Sequence, residues 1–168
     1  CSDGHGTGRH GHDADSVEYS MSHVRQQLRD QMVTELDVIP ELFGKVQSTR
    51  LLNLRKDDLP ACNVYVDGEE DELRAMGAQG SRVLLRTAII ATEVYATEVE
   101  NIDDEMDSFA VSIEKVLGNS TLNNLAYDVL LASTSFSFDA DVEEPTGVIT
   151  LFWSVQYQTT EGDPEVAV

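Results

Sequence analysis

Residues 81–118 read SRVLLRTAIIATEVYATEVENIDDEMDSFAVSIEKVLG, and this stretch decides the fold class. Over 81–96, Val83, Leu85, Thr87, Ile89 and Ala91 alternate with Arg82, Leu84, Arg86, Ala88 and Ile90, the period of a strand. From residue 101 the period changes. Ile102, Met106, Phe109, Ala110, Ile113 and Leu117 recur at helical spacing and form one apolar face. Asn101 is placed as an N-cap, Asp103 and Asp104 suit the positive first turn, and Gly118 stands where a left-handed C-cap is expected. A long strand feeding an amphipathic helix predicts an α+β domain. It carries no chemistry by itself.

Outward from this stretch, the chain is sized for one domain: 168 residues, 41% hydrophobic. No apolar run approaches the 18 or so residues of a membrane span, and the first residues lack the basic-then-apolar layout of a signal peptide. Residues 1–20 are rich in Gly, His, Asp and Ser and have little to bury. They are expected to be an upstream extension, a cloning remnant or an arm ordered against a partner, with a single α+β domain over 21–168. Cys1 and Cys62 make no disulfide framework; Cys62 is expected as a small buried side chain in a reduced, intracellular protein.

Charge excludes more than it assigns. Thirty-one acids against eleven Lys and Arg give a net −20, which argues against binding a DNA duplex through a basic face. The acidity serves solubility, or it marks a surface that lies close to nucleic acid without adhering to it.

Before the decisive stretch, a helix is expected from Ser22, as N-cap, to Leu36, with Val24, Leu28, Met32 and Leu36 as its buried stripe and Arg25, Gln26, Arg29 and Asp30 opposite. A strand with an irregular end is expected over 45–54. Arg50, Arg55 and Lys56 form a basic island in an acidic protein, either a solvated loop or a contact with an acidic neighbour such as a second copy of the chain. Pro60 opens a strand over 61–67. Residues 68–80 are expected as a polar connection in which Glu69, Glu70, Asp71 and Glu72 point to solvent, with an assembly contact as the second reading. After residue 118, NSTLNN is a polar turn. A strand over 125–139 places Leu130, Ala132, Thr134, Phe136 and Phe138 on one face, and a hairpin loop over 139–147 carries Glu143 and Glu144. A final strand over 148–159, with Ile149, Leu151, Trp153, Val155 and Tyr157 on one face, closes the sheet, and 160–168 is a loose acidic tail. The order is α-β-β-β-α-β-β: about five mostly antiparallel or mixed strands, with two amphipathic helices on one face.

No phosphate loop, GxGxxG, GxSxG, HExxH or CxxC is present. Paired-carboxylate catalysis needs acids converging from different elements, and nothing in the pattern brings two together. His5, His10, His12 and Asp13 match no closed structural metal site. The chain is therefore expected to be no enzyme, with no cofactor and no functional metal.

The order of elements resembles the tail terminators (tail completion or minor tail proteins) of long-tailed phages. The resemblance runs from Met21 to about Thr159 and rests on MSHVRQQLRDQMVTEL, KVQSTRLLNL, the Leu59-Pro60 step into ACNVYVDGEE, RVLLRTAIIATEVYA, IDDEMDSFAVSIEKVL and a last hairpin bearing Phe136, Phe138 and Trp153. It implies a structural virion protein that forms a hexameric ring on the head-proximal end of the tail tube, stops tube growth, offers a surface to a head-side connector and passes DNA through an acidic lumen without specific binding, with no membrane partner. It implies a location in the virion neck and, during assembly, the host cytoplasm. Another neck protein, such as a head-completion protein, or a small binding module is the alternative. Residues 1–20 depart from the family pattern. Candidate assembly contacts are Arg50, Arg55, Lys56, Glu69, Glu70, Asp71, Glu72, Arg82, Arg86, Glu143 and Glu144. Among them, Arg82 and Arg86 lie beside Leu84, Ala88 and Ile90 on the second face of the 81–96 strand, which is expected either to look outward as a subunit contact or to be covered by a loop or the final hairpin.

Overall fold

The computed structural model describes residues 22–49, 56–76, 82–97, 101–139 and 146–168. In chain order these form α1 (Val24–Leu36), β1 (Val46–Gln47), β2 (Ala61–Met76), β3 (Arg82–Ala96), α2 (Ile102–Leu117), β4 (Asp128–Asp139), β5 (Thr146–Thr160) and β6 (Asp163–Ala167). The strands make one mixed sheet in the order β1-β2-β3-β5-β4, with β6 added to the end of β5. β1 runs parallel to β2 and the other pairings are antiparallel. This is the expected α+β layer. Arg74, near the end of β2, lies 5.4 Å from the ring centre of Tyr127, just before β4. β3 and β5 lie between these two strands, about 14 Å apart in a flat sheet, and the contact fits a curled sheet.

Both helices lie on one face of the sheet. The α1 stripe of Val24, Leu28, Met32 and Leu36 is fully buried, as its four-residue spacing predicts. Met106, Phe109, Ile113 and Leu117 of α2 join the same core, against Ile149, Leu151, Trp153, Val155 and Tyr157 of β5. Trp153 donates from Nε1 to Thr92 Oγ1 at 3.1 Å, so the largest core side chain is also satisfied as a donor. Gly147 lets α2 approach β5: a Cβ there would stand 2.7 Å from Ile102 Cδ1.

Several local expectations are corrected. The N-cap of α1 is His23, not Ser22: its Nδ1 accepts from Arg25 N–H at 3.2 Å. Gly118 is right-handed, with φ −64°. The left-handed residues come in the following turn, where Leu122, Asn123 and Asn124 have φ 47°, 58° and 62°. Asn tolerates that region; Leu does not, at a cost of about 1 kcal/mol. Burial of Leu122 in the core and the 2.8 Å bond from its N–H to Ser120 Oγ offset the strain. The β2 strand continues through residue 76, with bulges at 66–68 and 73–75, so Glu69 to Glu72 lie in a strand and not in a loop. β5 is flanked by β3 and β4 and does not close the sheet. The tail contributes β6, paired with Thr159 and Thr160, so it is not loose. In β4, a bulge between Leu131 and Ser133 breaks the expected alternation, and Leu130 lies on the face opposite Phe136 and Phe138.

The largest correction concerns β3. Its helix-covered face is the one bearing Arg86, Ala88, Ile90 and Val94, and Ala88 and Ile90 are fully buried. The face with Val83, Leu85, Thr87 and Ile89 is the one the helices leave uncovered. Both faces of this strand are apolar enough to serve as core, and local alternation carries no information about where the helices settle.

Candidate functional site: an internal ion network and two sheet edges

Cross-strand register brings the acids and arginines together. Asp71 pairs with Arg86 across β2 and β3, and Arg86 pairs with Tyr157 across β3 and β5. The bulge at 66–68 turns Glu69 onto the same face, under the start of α1. Glu69 Oε1 accepts from Arg86 Nη1 at 2.9 Å and from Arg25 Nη1 at 3.2 Å; Glu69 Oε2 accepts from Tyr157 Oη at 2.6 Å. Arg86 Nε donates to Thr159 Oγ1 at 2.9 Å, and its Nη1 lies 3.5 Å from Asp71. The Glu69 and Arg86 side chains are only 10% and 12% exposed, so this pair is held away from most solvent screening. Burial alone would lower the pKa of Arg86; Asp71 and the bond to Glu69 overcome it and raise it. Burial, then the bond to the Glu69 carboxylate, pushes the Tyr157 hydroxyl up. Two acids and two arginines balance, and the cluster ties α1 to three strands. Glu69 and Arg86 are thus engaged within the chain.

His23 stands at the edge of this network. Burial, then Arg25, lowers its pKa, with Arg86 adding in the same direction and Glu69 and Asp71 opposing. Protonation would also remove the Nδ1 acceptor that caps α1 and put positive charge at the helix N-terminus. The folded pKa lies below the unfolded value of about 6.5, so this contribution is complete above about pH 6.5 and declines as pH falls. Urea denaturation between pH 7.5 and 5.5 is expected to show a loss of stability that His23→Asn, which caps without titrating, lacks. An identical slope in both proteins would refute the assignment.

The remaining expected contacts divide. Glu70, Asp71 and Glu72 are exposed along the outer part of β2. Arg82 is half-exposed and pairs with Glu161 at 3.3 Å, an ion pair worth under about 1 kcal/mol. Arg50, Arg55, Glu143, Glu144, the Lys56 side chain and residues 1–21, with their histidine cluster, lie outside the described residues. Among the described residues no group of three or more His, Cys, Asp or Glu could hold a metal, and no helix is long and apolar enough to cross a membrane. A cleft of about 150 Å³ lies between the turn before β4 and β6, lined by Leu125, Tyr127, Gln158 and Val168 among others. It is below the roughly 300 Å³ at which small-molecule pockets begin. Cys62 is buried, and burial pushes its thiol up to about 12, so it is no nucleophile at neutral pH.

Two features were not read from the sequence. Asn63 is fully buried on the face of β2 turned away from the helices, with neither side-chain amide atom hydrogen-bonded. Such a group costs about 1–3 kcal/mol, and a β-branched apolar residue suits a strand better. Asn63→Val is therefore expected to stabilise the fold by about 1 kcal/mol in denaturant titration; destabilisation would show that the amide has a partner in solution. The second feature is β4. Every residue from Ala132 to Phe138 is exposed, with Leu130 60% and Phe136 and Phe138 each 49% accessible. An apolar pattern at sequence level marks such residues as core. Only the position of β4 at the rim of the sheet exposes them.

Comparison with known proteins leaves the assignment to these observations: no protein-family model matches the chain, and no curated protein matches it significantly.

Proposed function

We propose that this chain is a ring-forming structural protein of a long-tailed phage, a terminator that caps the head-proximal end of the tail tube. The observation that carries the reading is architectural. Two helices and long strands follow one another in the order of the tail-terminator resemblance, and both helices lie on one side of a single curled sheet. The exposed β4 rim, with Leu130, Phe136 and Phe138, supports contacts with neighbours. The net charge of −20 supports the same role, because a ring lumen of negative potential repels phosphate and lets DNA slide. Its partners are copies of itself, the tail tube protein below and a head-side connector above. No metal or cofactor takes part.

Electron microscopy of the purified chain, alone and mixed with tail tubes, tests this. Sixfold rings, or tubes capped at one end and arrested in length, are the expected result. A chain that stays monomeric and leaves tube length unchanged would overturn it.

A further inference from the structure

On the sheet face turned away from the helices, the register sets one residue from each of five strands in a single row: Gln47 of β1, Asn63 of β2, Glu93 of β3, Thr150 of β5 and Ser135 of β4. All five are polar, although the neighbouring rows across β2, β3 and β5 hold Tyr65, Ala91 and Phe152 on one side and Ala61, Tyr95 and Val148 on the other. Two members of the row are short of partners. Asn63 is fully buried, and neither its Oδ1 nor its Nδ2 is hydrogen-bonded. Glu93, directly across from it, is only partly exposed and accepts from one neutral donor, the Tyr95 hydroxyl, at 2.6 Å to Oε2. Residues directly opposite in an antiparallel pair stand about 5 Å apart at Cβ, so this amide and carboxylate lie within reach of one small group. Glu69, on the helix-covered face of the same sheet, shows what Glu93 lacks. Arg86 and Arg25 both bond Glu69, whereas no lysine or arginine among the described residues pairs with Glu93.

The chemistry of the row identifies the ligand. A carboxylate that has lost part of its water favours a positive partner. The amide carbonyl across from it accepts a second N–H, and the Tyr95 ring, held to the carboxylate by its own hydroxyl, offers a π face to a cation. Glu93 repels an anion. A calcium ion fits poorly, because one carboxylate, one amide and one hydroxyl fall short of the about six oxygen ligands it takes. We infer that the Asn63–Glu93 pair is a binding site for an organic cation, an ammonium or guanidinium group that donates to the Glu93 carboxylate and to Asn63 Oδ1 and lies against the Tyr95 ring. Asn63 thus lowers stability in the free chain and gains its partner on binding. The stabilising Asn63→Val substitution accordingly has a second consequence, loss of cation binding. The inference stands independently of the phage role.

The test titrates the full chain with n-butylammonium chloride and with ethylguanidinium chloride, at ionic strength matched by sodium chloride, and follows the Asn63 side-chain amide by nitrogen–proton NMR. A saturable shift of that amide is expected with either cation and not with n-butanol. Glu93→Gln, which keeps an acceptor for Tyr95, and Asn63→Val, followed through the Glu93 backbone amide, are each expected to weaken binding at least tenfold with the fold intact by circular dichroism. Glu114→Gln, at an exposed position of α2, is expected to bind as the parent chain does. A shift of the Asn63 amide on concentrating the chain without added cation, lost in Glu93→Gln, would place the cation on a lysine or arginine of a second copy. Saturable binding of the probes without that shift would place it on a free amine. Shifts that do not saturate, or that persist in Glu93→Gln, would show only diffuse attraction to the net charge of −20 and overturn the site. No shift in either experiment overturns it as well.

Discussion

Trp153→Ala is expected to lower folding stability by about 3–5 kcal/mol, read as a shift of the urea midpoint at unchanged slope. Trp153 is 1% exposed and lies at the centre of β5, between Ile90 of β3 and Leu131 of β4. Removing the indole opens a cavity in the core beneath three paired strands, and close packing around it limits how far the surroundings can collapse to fill it. The indole N–H bond to Thr92 is lost as well; Thr92 Oγ1 keeps its 3.4 Å bond to the Leu151 carbonyl, so no hydroxyl is stranded. Trp153→Phe separates the two contributions. It keeps much of the packed volume and loses the donor, so about 1–2 kcal/mol is expected. A Trp153→Ala loss under 1 kcal/mol would mean that the core is not organised around this side chain. Stabilities of whole domains are about 5–15 kcal/mol, so the alanine variant is expected to sit close to unfolding at 37 °C.

Glu69→Ala is the second large effect, roughly 3 kcal/mol. The carboxylate is the shared acceptor of Arg86, Arg25 and the Tyr157 hydroxyl. Its loss leaves a guanidinium only 12% exposed with Asp71 at 3.5 Å as its nearest remaining acid. Breaking a buried pair by removing one partner costs about 3–5 kcal/mol, whereas replacing both partners by apolar residues is often near neutral. The Glu69→Leu/Arg86→Leu double variant is accordingly expected to be more stable than Glu69→Leu alone. Additive losses in that double-mutant cycle would show that the two side chains do not interact. Arg86→Lys is not expected to rescue, since an ammonium cannot reach Thr159, Glu69 and Asp71 together as the guanidinium fork does.

The same cluster shows where reading the chain stopped. Four consecutive acids, Glu69 to Glu72, look like a solvated loop because like charges repel and Arg74 alone nearby in sequence cannot balance them. The balance comes from Arg86, 17 residues on, and Arg25, 44 residues back, and the Tyr157 hydroxyl, 88 residues on, donates a further hydrogen bond. Once Arg86 occupies the inner face, the run becomes an ordinary strand, with Glu69 and Asp71 inward and Glu70 and Glu72 outward. The tail is similar: 160–168 looks loose because its acids hide a five-residue strand that exists only against β5.

What the sequence determined by itself is local and periodic. The stripes of α1 and α2, the alternation of β3 and β5 and the polar turn at 119–124 follow from side-chain spacing, and with them the α+β class. The tertiary structure decided which face of β3 is inside, which strand lies at the rim and which charges meet. The 81–96 strand is apolar on both faces, and periodicity identifies two faces without ranking them; packing of the helices ranks them. Exposure of β4 likewise follows from strand order alone, since the same residues one position further into the sheet would be core. These are non-local properties, set by contacts between residues far apart in the chain.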